Sequence, residues 1–515
     1  MHARDLETQR HRRQPGRREA APGGASLWTT QLDRAAPVSL TRQLAGALRQ
    51  AIGEGRIGPG ARLPSTRALA GELGLARSTV VGVFEQLVAE GYIAGRPGSG
   101  YVAAAPLSDP AMLDRGGPQA LRPLSRHGER LRGYRIALRG LPRPFEPGHA
   151  EVDTRFIATW KQLSARVLAG RTRVMWNYGD PQGEPELRRA IADYLAAARG
   201  VRCTPEQIVL TSGTQQGLSL IARLLIDPGD RAVVEDPCYR AAVDILRDAE
   251  AELVPLPVDE DGLDIAAGQN RPKLSTGRPP RLVYTTPSRQ YPLGMALPLA
   301  RRVALLAWAA AARVWIIEDD YESEFQAPGR MLPSLQGLDR ADRVIYLGTF
   351  SKLLFPSLRL GYAVLPPDLV APFAAARHLA DRQSSGILQA VMTDFMLDGH
   401  FARHLKRMRA RYGERQQFLT DQVGRRLGGL VDIRPVESGM YLVAWLPRGW
   451  SDCATAAALA EAGVVAAPLS SLVLETDRDP GLVLGYTGHD ETAMARAVER
   501  MATVLGQPTG LIKKG

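Results

Sequence analysis

Lysine is scarce in this chain: only six of its 65 cationic residues, Lys161, Lys273, Lys352, Lys406, Lys513 and Lys514, are not arginine. Arginine is the default cation, so a lysine inside an ordered segment asks for a chemical reason. Cysteine is rarer still. Cys203, Cys238 and Cys453 form no CxxC pair and no even framework, which excludes a disulfide scaffold or a zinc cluster and fits a reducing cytoplasm. The longest apolar run, Val303 to Ala312, is far short of the roughly 20 residues a membrane span needs. The Arg-rich start leads into Pro-Gly-Gly rather than an apolar stretch, which argues against a secretory signal. No repeat of 20 to 50 residues stands out, so a solenoid is not indicated.

What is present is length and apolar content enough for more than one core: 515 residues, 45% hydrophobic. The formal charge is +11, and it is uneven. Residues 1–103 carry fourteen arginines and no lysine against eight carboxylates, which puts more than half of the excess in a fifth of the chain and points to an acidic partner such as nucleic acid. Composition divides the chain into a basic, Pro- and Gly-punctuated tail (1–26), a small head (27–103), a Pro/Gly/Arg-rich linker with room for one short helical piece (104–142) and a large domain (143–510).

The head reads as a helix-turn-helix. Leu40, Leu44, Leu48 and Ile52 make one helical stripe. In Leu63-Pro-Ser-Thr-Arg-Ala-Leu-Ala-Gly-Glu-Leu-Gly-Leu-Ala-Arg-Ser-Thr-Val80, Ser65 can cap one helix, Gly74 can take the left-handed turn, and Ala76 or Arg77 opens the next. Val80, Phe84, Leu87 and Val88 are expected to face the core. Arg77, Ser78 and Thr79 then sit on the first turn of a recognition helix, where arginine can pair with a guanine edge and hydroxyls can meet phosphate or base. Arg62 and Arg67 are phosphate candidates. Gly91 to Val102 suits a β-wing whose Arg96 tip could enter a minor groove.

In the large domain, strand-like runs (Gln207 to Thr211, Arg231 to Glu235, Arg281 to Thr285, Val314 to Glu318, Arg343 to Leu347) alternate with helical stretches, the signature of a mainly parallel sheet covered by helices in an α/β domain. Lys352 follows one such run in Leu347-Gly-Thr-Phe-Ser-Lys352. Only a primary amine condenses with an aldehyde, so a Schiff-base role competes with that of a surface lysine. Val209 to Gly217 passes from strand through a small-residue turn into a helix, leaving N–H groups and Thr214 for a phosphate. Thr349 and Arg359 flank the lysine and suit the same dianion. Asp319 ends a buried strand, where ligand sites of open α/β sheets lie, and could keep a pyridine nitrogen protonated. Tyr321 could bond a ring oxygen and Tyr239 could stack on the ring. These are the needs of pyridoxal 5'-phosphate.

Residues 38–103 resemble the DNA-binding domain of the GntR family of bacterial regulators, through Gly60-Ala-Arg-Leu-Pro-Ser65, Ala76-Arg-Ser-Thr79, Gly91-Tyr-Ile93 and the trailing glycines. The resemblance implies DNA contacts from Arg67, Arg77, Ser78, Thr79 and Gly98. Residues 145–510 resemble the fold type I aminotransferases through Tyr178-Gly-Asp-Pro-Gln-Gly-Glu-Pro-Glu-Leu-Arg188, Ser212-Gly-Thr-Gln-Gln216, Thr286-Pro-Ser-Arg-Gln-Tyr-Pro-Leu-Gly294, Glu318-Asp-Asp-Tyr-Glu-Ser-Glu-Phe325 and Gly348-Thr-Phe-Ser-Lys352. The pairing of the two is similar to the MocR subfamily.

That resemblance implies that Lys352 is the Schiff-base lysine, Asp319 meets the pyridine nitrogen, Tyr321 the phenolic oxygen, and Tyr239 stacks. It places Tyr291 at the cofactor and Ser212, Gly213, Thr214, Thr349 and Arg359 at the phosphate. Tyr178 aligns with a tyrosine that reaches the neighbouring subunit's phosphate, so the resemblance also implies a head-to-tail homodimer and paired DNA half-sites. Two positions depart from the pattern. Arg289 stands where the subfamily usually has histidine. Val483 stands where amino-acid aminotransferases place a carboxylate-gripping arginine, leaving Arg240 and Arg382 as candidate substitutes.

The function expected is a transcription factor, cytoplasmic and bound to double-stranded promoter DNA, using pyridoxal phosphate as effector or as a covalent hook for an amine or amino acid. Control of vitamin B6 synthesis gains from Val483, and sensing of an amino acid such as GABA or taurine loses. The alternative is a working aminotransferase with an accessory DNA-binding domain, for which the same lysine, aspartate and phosphate residues would be needed.

Overall fold

The computed structural model describes residues 32–96, 100–104, 122–134, 142–170, 176–269, 274, 278–326, 332–434, 439–507 and 511. The tail read at residues 1–26, Gly98, and most of the linker lie outside them. The chain forms two compact units, residues 1–125 and 126–515.

In the first unit, α1 (Leu40–Gly53) begins where the Ser39 hydroxyl accepts the Arg42 N–H at 3.4 Å. α2 (Thr66–Leu73) begins the same way at Ser65, which accepts from Ala68 N–H at 3.2 Å, and stops at Gly74 with φ 61°. α3 (Arg77–Ala89) follows after three residues. Leu44, Leu48, Ile52, Leu69, Val80, Phe84 and Leu87 pack into one core. Val88, expected there, is 40% exposed, and Val83 is fully buried in its place. Val83 lies three residues from Val80 and four from Leu87 and so continues their stripe, whereas Val88 is turned out of it. The hairpin β1 (Ile93–Arg96) and β2 (Gly100–Ala103) is the expected wing. Tyr101 anchors it edge-on to Phe84 at 4.9 Å, and Leu63 N–H donates to the Tyr101 carbonyl at 2.9 Å.

The second unit opens with α4 (Arg126–Arg132), a short helix in the stretch read as linker. Then come α5 (Thr154–Gly170), α6 (Pro185–Arg199), β3 (Ile208–Thr211), α7 (Thr214–Leu225), β4 (Arg231–Asp236), α8 (Arg240–Asp248), β5 (Glu252–Asp259), β6 (Gly262–Leu263), β7 (Leu282–Thr285), α9 (Leu299–Ala312), β8 (Trp315–Asp320), β9 (Val344–Thr349) and β10 (Gly361–Val364). The chain continues through α10 (Pro367–Asp381), α11 (Gly386–Leu397), α12 (His400–Leu427), β11 (Asp432–Ile433), β12 (Tyr441–Trp445), α13 (Asp452–Glu461), β13 (Ala467–Pro468), β14 (Gly481–Gly485) and α14 (Glu491–Leu505).

Eight strands form one sheet in the order β3-β10-β9-β8-β7-β4-β5-β6, parallel from β9 through β5, with β10 antiparallel to both neighbours. Its strands are buried on both faces because helices cover both, which is why they read as unbroken apolar runs. α7, α8 and α10 pack on the face carrying Val234, Tyr284, Ile317 and Leu347. α9 packs on the face carrying Val233, Val283 and Ile316. A second, antiparallel sheet, β11-β12-β14-β13, packs with α12 and α14 into the largest core cluster. The expected strands are all present with ends shifted by a residue or two. The largest shifts are those of β8 and β9, each of which runs on two residues at its C-terminal end; in β8 the added Asp320 carboxylate finds buried partners.

Candidate functional site

In the first unit, Arg77 and Ser78 are exposed at the start of α3 and Thr79 is half-buried beside them. Arg67 lies exposed on α2, Arg62 just ahead of it, and Arg96 at the end of β1. None of Arg62, Arg67, Arg77 and Arg96 makes an ion pair among the described residues. Arg49 and Arg56, by contrast, are tied to Glu90 at 2.6 Å and Glu54 at 2.8 Å. A cation left without an internal carboxylate is available to an external anion such as a phosphate.

The candidate site of the second unit lies at the C-terminal ends of the parallel strands. Strand register decides which side chains meet. Tyr284 pairs with Ile317 and Leu347 with Asp319, so Tyr284, Asp319 and Thr349 share one sheet face, while Glu318 and Asp320 point to the other. On that second face Asp320 accepts from Arg199 at 2.8 Å and Tyr346 at 2.7 Å; burial opposes its charge, but Arg199 holds its carboxyl below the usual range. Glu318 accepts the Leu335 and Gln336 N–H groups, each at 2.9 Å.

Asp319 is different. Its Oδ2 accepts from the Tyr284 hydroxyl at 2.7 Å, and its Oδ1 is buried with no partner among the described residues. Burial pushes its carboxyl up to about 7, against the pull of the Tyr284 hydrogen bond and the Lys352 charge. A carboxylate with one oxygen held and one unfilled suits a protonated ring nitrogen.

Lys352, just past β9, directs its Nζ to the Gly148 carbonyl at 3.2 Å. Gly148 has φ 93°, which favours glycine, and a Cβ there would stand 2.5 Å from that amine and displace it from this position. The phosphate candidates converge at the start of α7. Gly213 caps the helix with φ 110°, and the exposed Arg359 guanidinium lies 3.4 Å from where its Cβ would be. Arg359 makes no ion pair among the described residues. Thr349 is buried opposite Gly361 in register, and a Cβ on Gly361 would come within 2.8 Å of the Gly213 backbone. Thr214 begins the helix. The Ser212 N–H is already given to the Gln216 side chain at 2.8 Å, so Ser212 has only its hydroxyl to offer.

An aromatic wall closes the other side. Tyr239, Tyr291, Tyr321 and Tyr441 meet edge to face, with Tyr291 at 5.6, 6.1 and 5.4 Å from the other three in that order. Tyr291 is placed by Glu235, buried on β4, which accepts from Thr285 at 2.5 Å, Thr286 at 2.8 Å and Gln290 at 3.3 Å. The Tyr321 hydroxyl bonds the Tyr441 hydroxyl and donates to the Arg289 carbonyl at 3.1 Å. Tyr178 is not in this cluster: it is 78% exposed, with the Arg382 guanidinium 4.3 Å from its ring centre. Val483 is buried in β14, paired with Val443 and Ala467.

Tyr284, Tyr441 and Glu322 escaped the reading of the sequence. Tyr284 had a signal, its even spacing on a strand next to that of Asp319. Tyr441 and Glu322 had none, because the packing of the second sheet against the first brings them together.

These two units define the class: a winged helix-turn-helix head joined to an aminotransferase-like α/β domain. Residues 40–102 match the bacterial regulatory proteins of the gntR family, and residues 149–501 match aminotransferase class I and II. The chain is 39% identical to the "Probable rhizopine catabolism regulatory protein MocR" of Rhizobium meliloti, over 91% of this chain and 94% of that protein. It is 32% identical to the "HTH-type pyridoxine biosynthesis transcriptional regulator PdxR" of Corynebacterium glutamicum, over 89% and 94%. In structure it is similar to the α-aminoadipate aminotransferase LysN of Thermus thermophilus, solved with N-(5'-phosphopyridoxyl)-L-leucine, with TM-score 0.65, 28% identity, and 72% of this chain and 93% of that one covered. The chain belongs to the MocR subfamily of GntR-type transcriptional regulators. Among the described residues no helix is long and apolar enough to cross a membrane.

Proposed function

We propose that this regulator binds pyridoxal 5'-phosphate in the large domain and uses it as its signal, or as a hook for an amine-bearing effector, to change how the head binds promoter DNA. The observation that carries the reading is the grouping of Lys352, the half-satisfied Asp319 and the unpaired Arg359 along one edge of the sheet. When bound, the cofactor supplies an aldehyde that condenses with primary amines. The residues present fit it: Asp319 for the ring nitrogen, Lys352 for the aldehyde, Tyr321 and Tyr239 for the ring, and Gly213, Thr214, Thr349 and Arg359 for the phosphate. Ser212 and Tyr291 line the same space, and Tyr178 serves a partner subunit in a homodimer.

The charge distribution favours the cofactor itself as the signal. A ligand carboxylate needs an uncommitted cation, yet Arg289 is paired with Glu322, Arg240 with Asp244 at 2.9 Å, and Arg382 lies over Tyr178. The 32% identity to a pyridoxine biosynthesis regulator supports the same choice, and with it control of vitamin B6 metabolism. Arg62, Arg67, Arg77, Ser78, Thr79, Arg96 and Gly98 are the proposed DNA contacts. An effector moves the DNA equilibrium only as far as it binds one arrangement of the protein better than the other.

The test is the affinity of the full-length protein for its own upstream region, measured with and without pyridoxal phosphate, for wild type and Lys352→Ala. The reading expects a cofactor-dependent change in wild type that the variant lacks. An affinity that ignores the cofactor in both removes it as a signal. Keto-acid formation from an added amino acid at multiple turnovers would establish an aminotransferase instead.

A further inference from the structure

Three segments distant in sequence meet behind the aromatic wall. Arg289, from the loop after β7, and Glu322, from the loop after β8, form an ion pair with both side chains at most 4% exposed. The same guanidinium donates to the Tyr441 carbonyl at 2.9 Å and lies 4.9 Å from the centre of the Tyr441 ring. Gly439, with φ 118°, covers it so closely that any Cβ there would collide with the guanidinium, and the Tyr486 hydroxyl holds the Gly439 carbonyl at 2.6 Å. Burial opposes the Arg289 charge, but Glu322 outweighs it, and Arg289 keeps its proton more firmly than a free guanidinium. A buried pair whose guanidinium is held by a further hydrogen bond fixes the geometry of whatever it touches. Here it touches the main chain and ring of Tyr441.

Tyr441 in turn shares its hydroxyl with that of Tyr321. A phenol has one proton to give and two lone pairs to accept with. Tyr321 gives its proton to the Arg289 carbonyl in the structure, so in the shared bond it is Tyr441 that donates. A hydroxyl that accepts one hydrogen bond is a stronger donor in the next. We infer that Tyr441, clamped by Arg289 and Glu322, is a positioning residue that orients Tyr321 and, when the ring oxygen of a bound ligand takes the Tyr321 proton from the Arg289 carbonyl, strengthens the hydrogen bond Tyr321 then gives to it. The inference rests on the cofactor reading above. It assigns the arginine at position 289 a role, since a shorter side chain could not reach Glu322 and the Tyr441 carbonyl at once.

A double-mutant cycle on the full-length protein tests this, with pyridoxal phosphate as the probe and both the dissociation constant and the absorption maximum of the bound chromophore as readouts. Tyr441→Phe removes one oxygen and should weaken binding about tenfold, as expected for one lost hydrogen bond, and shift the maximum. Tyr321→Phe should do at least as much. Because Tyr441 acts through Tyr321, the double variant should match Tyr321→Phe alone on both readouts. Replacing Arg289 and Glu322 together by Met keeps an apolar core in place of the pair and should reproduce the Tyr441→Phe shift. Additive effects, or a Tyr441→Phe protein indistinguishable from wild type, overturn the inference. Wild type and Lys352→Ala run alongside: if neither binds the cofactor, the cofactor reading itself has failed.

Discussion

Replacing Asp319 by Asn should make the cofactor-free protein more stable and the cofactor less welcome, and the first effect should grow with pH. In the folded protein burial raises the Asp319 carboxyl from its ordinary 3.8 to about 7. For an acid whose folded value is raised, the unfolded chain releases its proton first as pH climbs. Stability is therefore complete below about 4, falls as the pH rises through the interval from 4 to 7, and is flat above it. Three units at 1.36 kcal/mol each set the loss at about 4 kcal/mol for this one group. Asn has the same shape and no proton to lose, so the difference between the two proteins should be small below pH 4, reach about 1.5 kcal/mol at pH 5 and approach the full figure at pH 8. Glu318 and Glu324, also held at about 7 by burial, are common to both and largely cancel. The assay is denaturant or thermal unfolding of the large domain at several pH values without cofactor, followed by titration with pyridoxal phosphate. A pH-independent difference, or an Asn variant that binds the cofactor as tightly as wild type, would refute the reasoning.

Other consequences can be checked separately. Arg77→Ala should weaken binding to the specific operator by about 1 to 3 kcal/mol while leaving the cofactor spectrum intact, as a gel-shift and an absorbance scan would show. Gly361→Ala puts a methyl group 2.8 Å from the Gly213 and Gly348 backbones, neither of which is a flexible side chain. Cofactor affinity should fall by more than tenfold in an equilibrium titration, with a stability cost of about 1 to 3 kcal/mol. His404 is buried against the Leu353 carbonyl at 3.0 Å, and burial lowers it to about 4. The unfolded chain takes up that proton first, so stability contributed by the neutral ring is lost as pH falls from about 6.5 to 4. A His404→Gln protein should therefore lose up to about 3 kcal/mol less than wild type across that interval, read from unfolding curves.

Much of this was legible in the sequence because it is local. Ser39, Ser65 and Gly74 sit at helix ends by rules that operate within four residues, and the structure places Ser65 and Gly74 as read. Lys352 drew attention because lysine is rare in the chain, and Asp319 because it ends a buried strand. Val88 was misplaced for a reason of angle: adjacent residues on a helix differ by about 100°. Ser212 was expected at the phosphate, but its N–H is claimed by a side chain four residues on. The Arg289, Glu322 and Tyr441 cluster was not legible at all. Its members lie up to 152 residues apart and meet only through the docking of one sheet against another, which no periodicity announces. Arg289 was visible as an unusual residue, and its partner was not.

Whether Lys352 holds pyridoxal phosphate decides the function of the large domain. The most direct measurement is the visible absorption spectrum of the full-length protein and of Lys352→Ala, each mixed with pyridoxal phosphate and then dialysed. The account predicts a retained visible band in wild type, absent from the variant, with the variant folded by circular dichroism. A band that dialyses away from wild type, or one that survives equally in the variant, would contradict it.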